Sequence, residues 1–407
     1  MSGPLKGIRV LDLSRILAGP WTTQLLADFG ADVIKVERPG TGDDTRGWGP
    51  PFLEGNDGAQ NPESAYFLAA NRGKRSLTVD ISTPQGRDIV QSLARSADVV
   101  VENYKTGDMA RYGLDYATLS AINPRIIYCS ITGFGQTGPY RNRPGYDFVI
   151  QAMGGLMSIT GNPSGEDGGG PMKCGVPVAD LMTGMYSTTA ILAALNERNG
   201  SGMGQYIDMS LLDVQIAWLA NQASNYLVSG ATPRALGNAH PNLAPYQTFP
   251  ASDGDIIIAV GNDRQFQALC AALDAQDLAA DPDLQKNSGR IENRHRLVAA
   301  LQRLTRRRTK DWLLETLTAA GVPVGPVNSI PEALRDEHVR SRGMLISLPH
   351  TNGVDVPLIG NPVKFSRSRI EYRRAPPRLG EHTGQILAQE LGWTDDEIRQ
   401  AGATGIV

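Results

Sequence analysis

Asp180 is the only acid between Asp167 and Glu197, and it sits among apolar neighbours in GVPVADLMTG. A carboxylate is rarely left in such company unless its charge is satisfied or used, because burying an unpaired ion is costly. Two roles suit it. It can cap, or lie in the first turn of, the helix LMTGMYSTTAILAALNER that follows, accepting backbone N–H bonds. It can also be a nucleophile at the floor of a pocket, held by the same helix terminus. The two are compatible. Cys174 is the nearest thiol, but no histidine lies within about forty residues of it, so a thiol–imidazole pair needs a partner folded in from afar. The three cysteines, Cys129, Cys174 and Cys270, are odd in number and lack CxxC spacing, which reads as reduced structural thiols rather than disulfides or zinc ligands. His240, His295, His338, His350 and His382 show no ligand spacing, so no catalytic metal is expected.

Elements must position that carboxylate, and 407 residues are more than one core usually supports, so two domains or one large domain carrying a smaller one are expected. A formal net charge of -3 and a pI near 6.0 give no global field for nucleic acid or an anionic membrane, so any anionic ligand must be caught locally. The first residues run into a strand-like pattern without an apolar h-region, and no later stretch reaches about 18 uninterrupted apolar residues. A cytoplasmic protein without membrane partners is the expectation.

Short β-rich runs alternate with helical patterns through the first half, the sign of a doubly wound parallel sheet. GIRVLDL, DVIKVE, SLTVDI, DVVVEN and RIIYCSITG read as strands; WTTQLLADFGA reads as a helix ended by Gly30. TPQGRDIVQSLARSA is a second helix, with Thr83 as N-cap and Pro84 at its first position. Ligand sites in this order lie at the carboxyl ends of strands. Those ends are polar here: Ser14-Arg15, Glu37-Arg38-Pro39-Gly40, Asn103-Tyr104-Lys105 and Gly133-Phe134-Gly135-Gln136. None forms GxGxxG or a Walker loop, so a nucleotide-like ligand is expected but not a dinucleotide cofactor. Near residue 225 the pattern changes. YQTFPASDGDIIIAV reads as two strands turning at Asp253-Gly254, followed by Arg-rich helices whose Arg306 to Arg308 form a solvated face. This places a smaller α+β domain at 226–330. SLPHTNGVDVPLIG reads as a hairpin turning at Asn352-Gly353, and APPRLGEHTGQILAQEL ends in a helix.

Around Asp180, the segments VLDLSRILAGP (10–20), DVIKVERPGTGDDTRGWGPPF (32–52), NRGKRSL (71–77), VENYKTG (101–107), SITGFGQTGP (130–139), GYD (145–147) and PRLGEHT (377–383) run in order along nearly the whole chain. Together they resemble the class III CoA-transferases, the family of formyl-CoA transferase and carnitine CoA-transferase. The resemblance is nearest to the branch that moves CoA between succinate and dicarboxylates such as glutarate or hydroxymethylglutarate. It implies an interlocked homodimer of ring-like subunits. Each would have a large Rossmann-like domain made of residues 1–225 with 331–407, and a small domain between. It also implies that Asp180 attacks the donor thioester to give an acyl-aspartyl anhydride, that CoA thiolate returns to leave an enzyme-CoA thioester, and that the acceptor acid forms a second anhydride. Acyl-CoA and a small carboxylic acid are then substrates, and no prosthetic group is needed. Arg15, Ala18, Arg38, Lys74, Asn103, Tyr104 and Arg111 align with family positions that contact CoA. Without that alignment, Lys74 and Arg75 read as solvated residues before a strand and Asn103-Tyr104 as a turn. Tyr146 and Asp147 correspond to the aromatic residue and the acid beside the nucleophile. Gly237 to His240 matches a glycine-rich lid, here with one glycine. Arg46 is an expected partner for the distal carboxylate of a dicarboxylate acyl group.

Two other functions compete. An α-methylacyl-CoA racemase keeps the aspartate but carries His in a G-H-D triplet; here the triplet is Gly145-Tyr146-Asp147, and a phenol with a pKa near ~10 is badly matched to proton abstraction at neutral pH. A CoA-binding protein without turnover would use Asp180 only as a cap.

Overall fold

The structure, a computed structural model, describes residues 2–55 and 63–407. It divides into two compact units, residues 1–156, 174–224 and 338–407 in the first and 157–173 with 225–337 in the second. The sequence placed 157–173 with the larger part; here they belong to the smaller unit, and the chain re-enters the first unit at His338 rather than at 331.

The first unit is built on six parallel strands: β1 (Arg9–Asp12), β2 (Asp32–Glu37), β3 (Lys74–Thr78), β4 (Val99–Glu102), β5 (Ile127–Thr132) and β6 (Tyr206–Ser210). Their spatial order is β3-β2-β1-β4-β5-β6. Period-2 alternation feeds two cores. Leu11, Ile34, Val100 and Tyr128 face one side with Ile89, Val90 and Leu93 of α2 (Pro84–Ala94). Val10, Val33, Val99, Val101, Ile127 and Cys129 face the other with Leu26 of α1 (Ala18–Asp28) and Ile191 and Ala194 of a long later helix. Burial of both faces explains the near-continuous Val/Ile runs. As the sequence predicts, Thr83 Oγ1 accepts the Gly86 N–H and Pro84 opens α2.

Two strand readings need correction. β3 begins at Lys74 rather than Ser76, so Lys74 and Arg75 are buried within the sheet instead of solvated before it. β6, YIDMS, escaped notice because its outer residues alternate with polar ones at the sheet edge. Two further helices matter for the site: α3 (Asp147–Met153) and α4 (Val178–Ser201). α4 is apolar and long enough by composition to cross a membrane, but half of its most apolar window is buried and it packs on α1, so it is a core helix.

In the second unit, β7 (Tyr246–Ala251), β8 (Gly254–Ala259) and β9 (Val324–Pro326) form an antiparallel sheet over a core that includes Phe249, Phe266, Leu297 and Leu313. Ala251 pairs with Gly254, so the turn is Ser252-Asp253, one residue before the expected place. In the first unit the second hairpin is present as β10 (Leu345–Pro349) and β11 (Asp355–Ile359).

Candidate active site

Three of the parallel strands end in a buried acid: Asp12 on β1, Glu37 on β2 and Glu102 on β4. Each holds the loop that follows it. Asp12 accepts the Ser14 N–H at 2.9 Å, the Thr23 hydroxyl at 2.6 Å and Lys74 Nζ at 3.0 Å. Burial alone would raise its pKa, but Lys74 and Lys35 outweigh that and hold it at about 2. Glu37 accepts two guanidinium N–H bonds from Arg46, at 2.8 and 2.7 Å, and the Asp43 N–H at 3.0 Å. Glu102 accepts the Tyr104 N–H at 2.8 Å, and burial pushes its pKa up to about 7.

The β1 loop is the most constrained. Ile16 takes φ 70°, a left-handed conformation that is strained for a β-branched residue. It persists because partners over-determine it. The Ile16 N–H donates to Asp43 Oδ1 at 3.2 Å, and wholly buried Lys35 donates both to Asp43 Oδ2 at 2.9 Å and to the Ser14 carbonyl at 2.8 Å. On the other side Asn103 accepts the Arg15 N–H at 2.8 Å and returns an N–H to the Arg15 carbonyl at 2.7 Å. The ends of β1 and β4, where the strand order reverses, are thereby clamped together.

A cavity of about 580 Å³ opens over this clamp, lined by Arg15, Ile16, Ala18, Asn103, Tyr104, Arg141, Arg143, Tyr146 and Asp180, among others. Asp180 is the third residue of α4, so the first-turn expectation holds. The capping is done by a different residue: Asp147 Oδ1 accepts the N–H groups of Ala179 (2.8 Å) and Asp180 (3.3 Å), and Gln151 donates to its second oxygen at 2.6 Å. Asp147 therefore takes the helix-terminal donors, and the Asp180 carboxyl has no hydrogen-bond or ion-pair partner among the described residues. Burial first, then the negative charge of Asp147, pushes its pKa from 3.8 to about 7. The phenol of Tyr66 is pushed up to about 12 by burial and by the charges of Asp180, Asp147 and Asp43. A half-buried carboxyl without donors, poised near neutrality on a cavity wall, is a base or nucleophile when ionised.

The other expected residues divide. Arg15 lines the cavity, pairs with Asp44 at 2.9 Å and lies 5.4 Å from the Tyr104 ring centroid. Tyr146 also lines it and is 64% exposed. Arg38 lines an adjoining cavity of about 320 Å³ that shares Arg15 and Tyr104 with the first. Arg111 borders neither; it pairs with Asp108 at 3.3 Å and reaches the Tyr112 hydroxyl at 3.1 Å. Lys74 is sealed in the core, where Asp12, the Pro20 carbonyl and Asn71 use its ammonium, so it presents no charge to a phosphate. Arg46 is likewise spent. Besides its two bonds to Glu37 it lies 3.7 Å from the Phe67 ring centroid, which overturns its expected role with a substrate carboxylate. Gly237 (φ 60°) and His240 are in the second unit, where the Gly237 N–H donates to the Gly161 carbonyl and the His240 N–H to the Tyr246 carbonyl. Sequence reasoning missed Arg141, Arg143 and Tyr66. The dipeptides around them carry no signal, and only the fold brings Arg141 and Arg143 to the cavity wall and Tyr66 within electrostatic reach of Asp180. Among the described residues, no group of three or more His, Cys, Asp or Glu is placed to hold a metal ion.

CoA-transferase family III matches this chain over residues 5–383. The succinate–glutarate CoA-transferase of Agrobacterium fabrum is 51% identical over 386 residues, covering 95% of either chain. The human succinyl-CoA:glutarate CoA-transferase is 41% identical over 405 residues, 99% of this chain and 90% of its own. A crystal structure of a CAIB/BAIF family protein from Brucella suis superimposes with a TM-score of 0.84 at 49% identity, covering 96% of this chain and 100% of the other. Matched from its first strand to PRLGEHT, with a free carboxyl at the switch point of its sheet, the chain belongs to CoA-transferase family III.

Proposed function

We propose that this enzyme moves CoA from succinyl-CoA to glutarate or a dicarboxylate of similar length, with Asp180 as the nucleophile. The observation that carries the reading is the donor-free Asp180 carboxyl on the wall of a 580 Å³ cavity. The ionised carboxylate adds to the thioester carbonyl, the C–S bond breaks, and CoA leaves as thiolate, giving an acyl-aspartyl anhydride. The thiolate then adds to the aspartyl carbonyl and expels succinate, leaving Asp180 as a CoA thioester. Glutarate repeats the exchange, and the thiolate finally takes the glutaryl group and frees the carboxylate. Every bond made matches one broken, so neither an oxidant nor a prosthetic group is required. Relatives named for succinyl-CoA and glutarate support the donor and acceptor.

Arg15, Ala18, Asn103 and Tyr104 border the nucleophile's cavity and Arg38 its neighbour, which suits a CoA running across the carboxyl ends of the strands; Arg111 is assigned to the outer end of that path. We also assign the interlocked homodimer, with each large domain made from both chain ends. Phe148, Val149 and Met153 of α3 and Met185 and Tyr186 of α4 leave apolar side chains exposed, as a partner surface requires. Among the described residues Cys129, Cys174 and Cys270 form no disulfide, which suits the cytoplasm.

Protein incubated with succinyl-CoA and then hydroxylamine should carry a hydroxamate on Asp180, detectable by peptide mass spectrometry. Folded Asp180→Asn and Asp180→Ala proteins should lose both the mark and CoA transfer. Undiminished transfer by either variant would end this account. Exchange of an α-proton with deuterated solvent, without the mark, would instead indicate racemisation.

A further inference from the structure

The residue before α4 is Pro177, which has no N–H and supplies no side-chain cap. An acid at the third helical position ordinarily reaches back to the N–H of the capping residue, and here that donor does not exist. The other terminal donors are all taken. Val178 donates to the Val176 carbonyl at 2.8 Å, and the N–H groups of Ala179 and Asp180 go to Asp147 Oδ1 at 2.8 and 3.3 Å. Asp147 serves them only while its carboxylate is turned toward α4. Gln151 fixes that turn. It lies one helical turn after Asp147 on α3, so the two side chains share a face. Its Nε2–H donates to Asp147 Oδ2 at 2.6 Å while its Oε1 accepts the Cys174 N–H at 2.9 Å.

A carboxylate only accepts and a peptide N–H only donates, so the amide has a single orientation that satisfies both partners. Gln151 is wholly buried, and neither bond can be passed to water. Met has the length but neither group, Asn is a methylene too short, and an ionised Glu has no proton to give. The side chain thus ties α3 both to the segment entering α4 and to the helix cap. Were Asp147 to swing away, the N–H groups of Ala179 and Asp180 would be open to the Asp180 carboxylate itself, which would turn onto its own helix end. We propose that Gln151 is a positioning residue for CoA transfer: it locks Asp147 on the α4 terminus and so keeps the Asp180 carboxylate off its own helix and facing the cavity. Gln151 touches no reacting atom, and this role presupposes Asp180 as the nucleophile.

Hydroxamate formation on Asp180 in a single turnover of succinyl-CoA, followed from pH 6.0 to 8.5 alongside steady-state transfer, tests this. Asp180 faces Asp147 and the Tyr66 phenol, and Arg15, Arg141 and Arg143 line the same cavity. Glu102 also titrates near 7, so each variant is compared with wild type at every pH. Gln151→Met, folded as judged by near-ultraviolet circular dichroism, should form hydroxamate about tenfold or more slowly at pH 8, with KM for succinyl-CoA unchanged. Gln151→Glu donates to Asp147 only while protonated, and a carboxyl buried against a carboxylate holds its proton above the usual range. It should match wild type at pH 6.0 and fall progressively behind as the pH rises. An added charge acting alone would do the reverse, raising the Asp180 pKa and letting the two rates converge at high pH. A wild-type hydroxamate rate in folded Gln151→Met, a Gln151→Glu deficit that closes as the pH rises, or a change confined to KM each overturns the assignment. Absence of the mark from wild type refutes the nucleophile itself, whereas equal marking of wild type and Gln151→Met refutes only the role of Gln151.

Discussion

Replacing Asp180 by Asn should make the protein more stable, and increasingly so as the pH rises. The wild-type carboxyl is pushed from 3.8 to about 7, by burial first and by Asp147 second. Between those values the native state holds a proton that the unfolded chain has released, so the slope of unfolding free energy against pH is negative. The favourable contribution is complete below the unfolded pKa and is lost as pH rises through about 7. At about 1.4 kcal/mol per pH unit, the whole interval corresponds to ~4 kcal/mol. The carboxyl is only half-buried and faces a water-accessible cavity, so screening reduces the expected effect to about 2 kcal/mol. Asn has nearly the same shape and no titration, and Asp147 still supplies the helix cap. Urea unfolding of both proteins at one concentration, followed by tryptophan fluorescence at pH 5.0 and 8.5, measures the difference. Since pH 5.0 already lies inside the interval from 3.8 to about 7, the stability of Asp180→Asn relative to wild type should grow by about 1 kcal/mol between the two pH values. A difference that stays constant across this range would show that the carboxyl is not held in its neutral form, and the account of a poised nucleophile would lose its basis.

Other perturbations follow from the same contacts. Hydroxamate formation in wild-type protein should rise with pH through about 7, and Asp147→Asn, which keeps an acceptor for the helix N–H groups but removes the charge, should move that limb to lower pH in single-turnover trapping. Lys35→Met leaves Asp43 buried without its cation and should cost about 3 kcal/mol or more in urea unfolding. Ile16→Asn relieves a left-handed backbone held by a β-branched residue, so a gain of about 1 kcal/mol is expected in the same assay, and a loss would mean that the side chain's packing outweighs the strain. Arg46→Lys should lower the melting temperature while leaving the preference for glutarate over a monocarboxylate unchanged, because the guanidinium serves Glu37 and Phe67. A changed preference would return Arg46 to the substrate.

Much of the fold was readable from local pattern. Val/Ile runs at period 2, Thr83-Pro84 at a helix start and a glycine in the β10–β11 turn each act within a few residues, where steric and hydrogen-bond preferences decide the conformation; that turn centres on Thr351-Asn352, one residue before the expected place, with Gly353 following at φ 84°. Misreadings came where a charged residue is buried against an acid at a strand end. Lys74 and Arg46 have the composition of surface residues, and only their pairing makes burial tolerable, Lys74 with Asp12 across the sheet and Arg46 with Glu37 at the end of β2. β6 was hidden because an edge strand keeps one polar side.

The sequence alone singled out Asp180, since a lone acid in an apolar stretch demands an explanation wherever the chain folds. The tertiary structure decided what that acid can do. Asp147, 33 residues away, occupies the backbone donors that would otherwise stabilise its charge, and the clamp between β1 and β4 opens a cavity in front of it. Charge state depends on the dielectric and the neighbours within a few ångströms, and those are set by packing between segments distant in the chain.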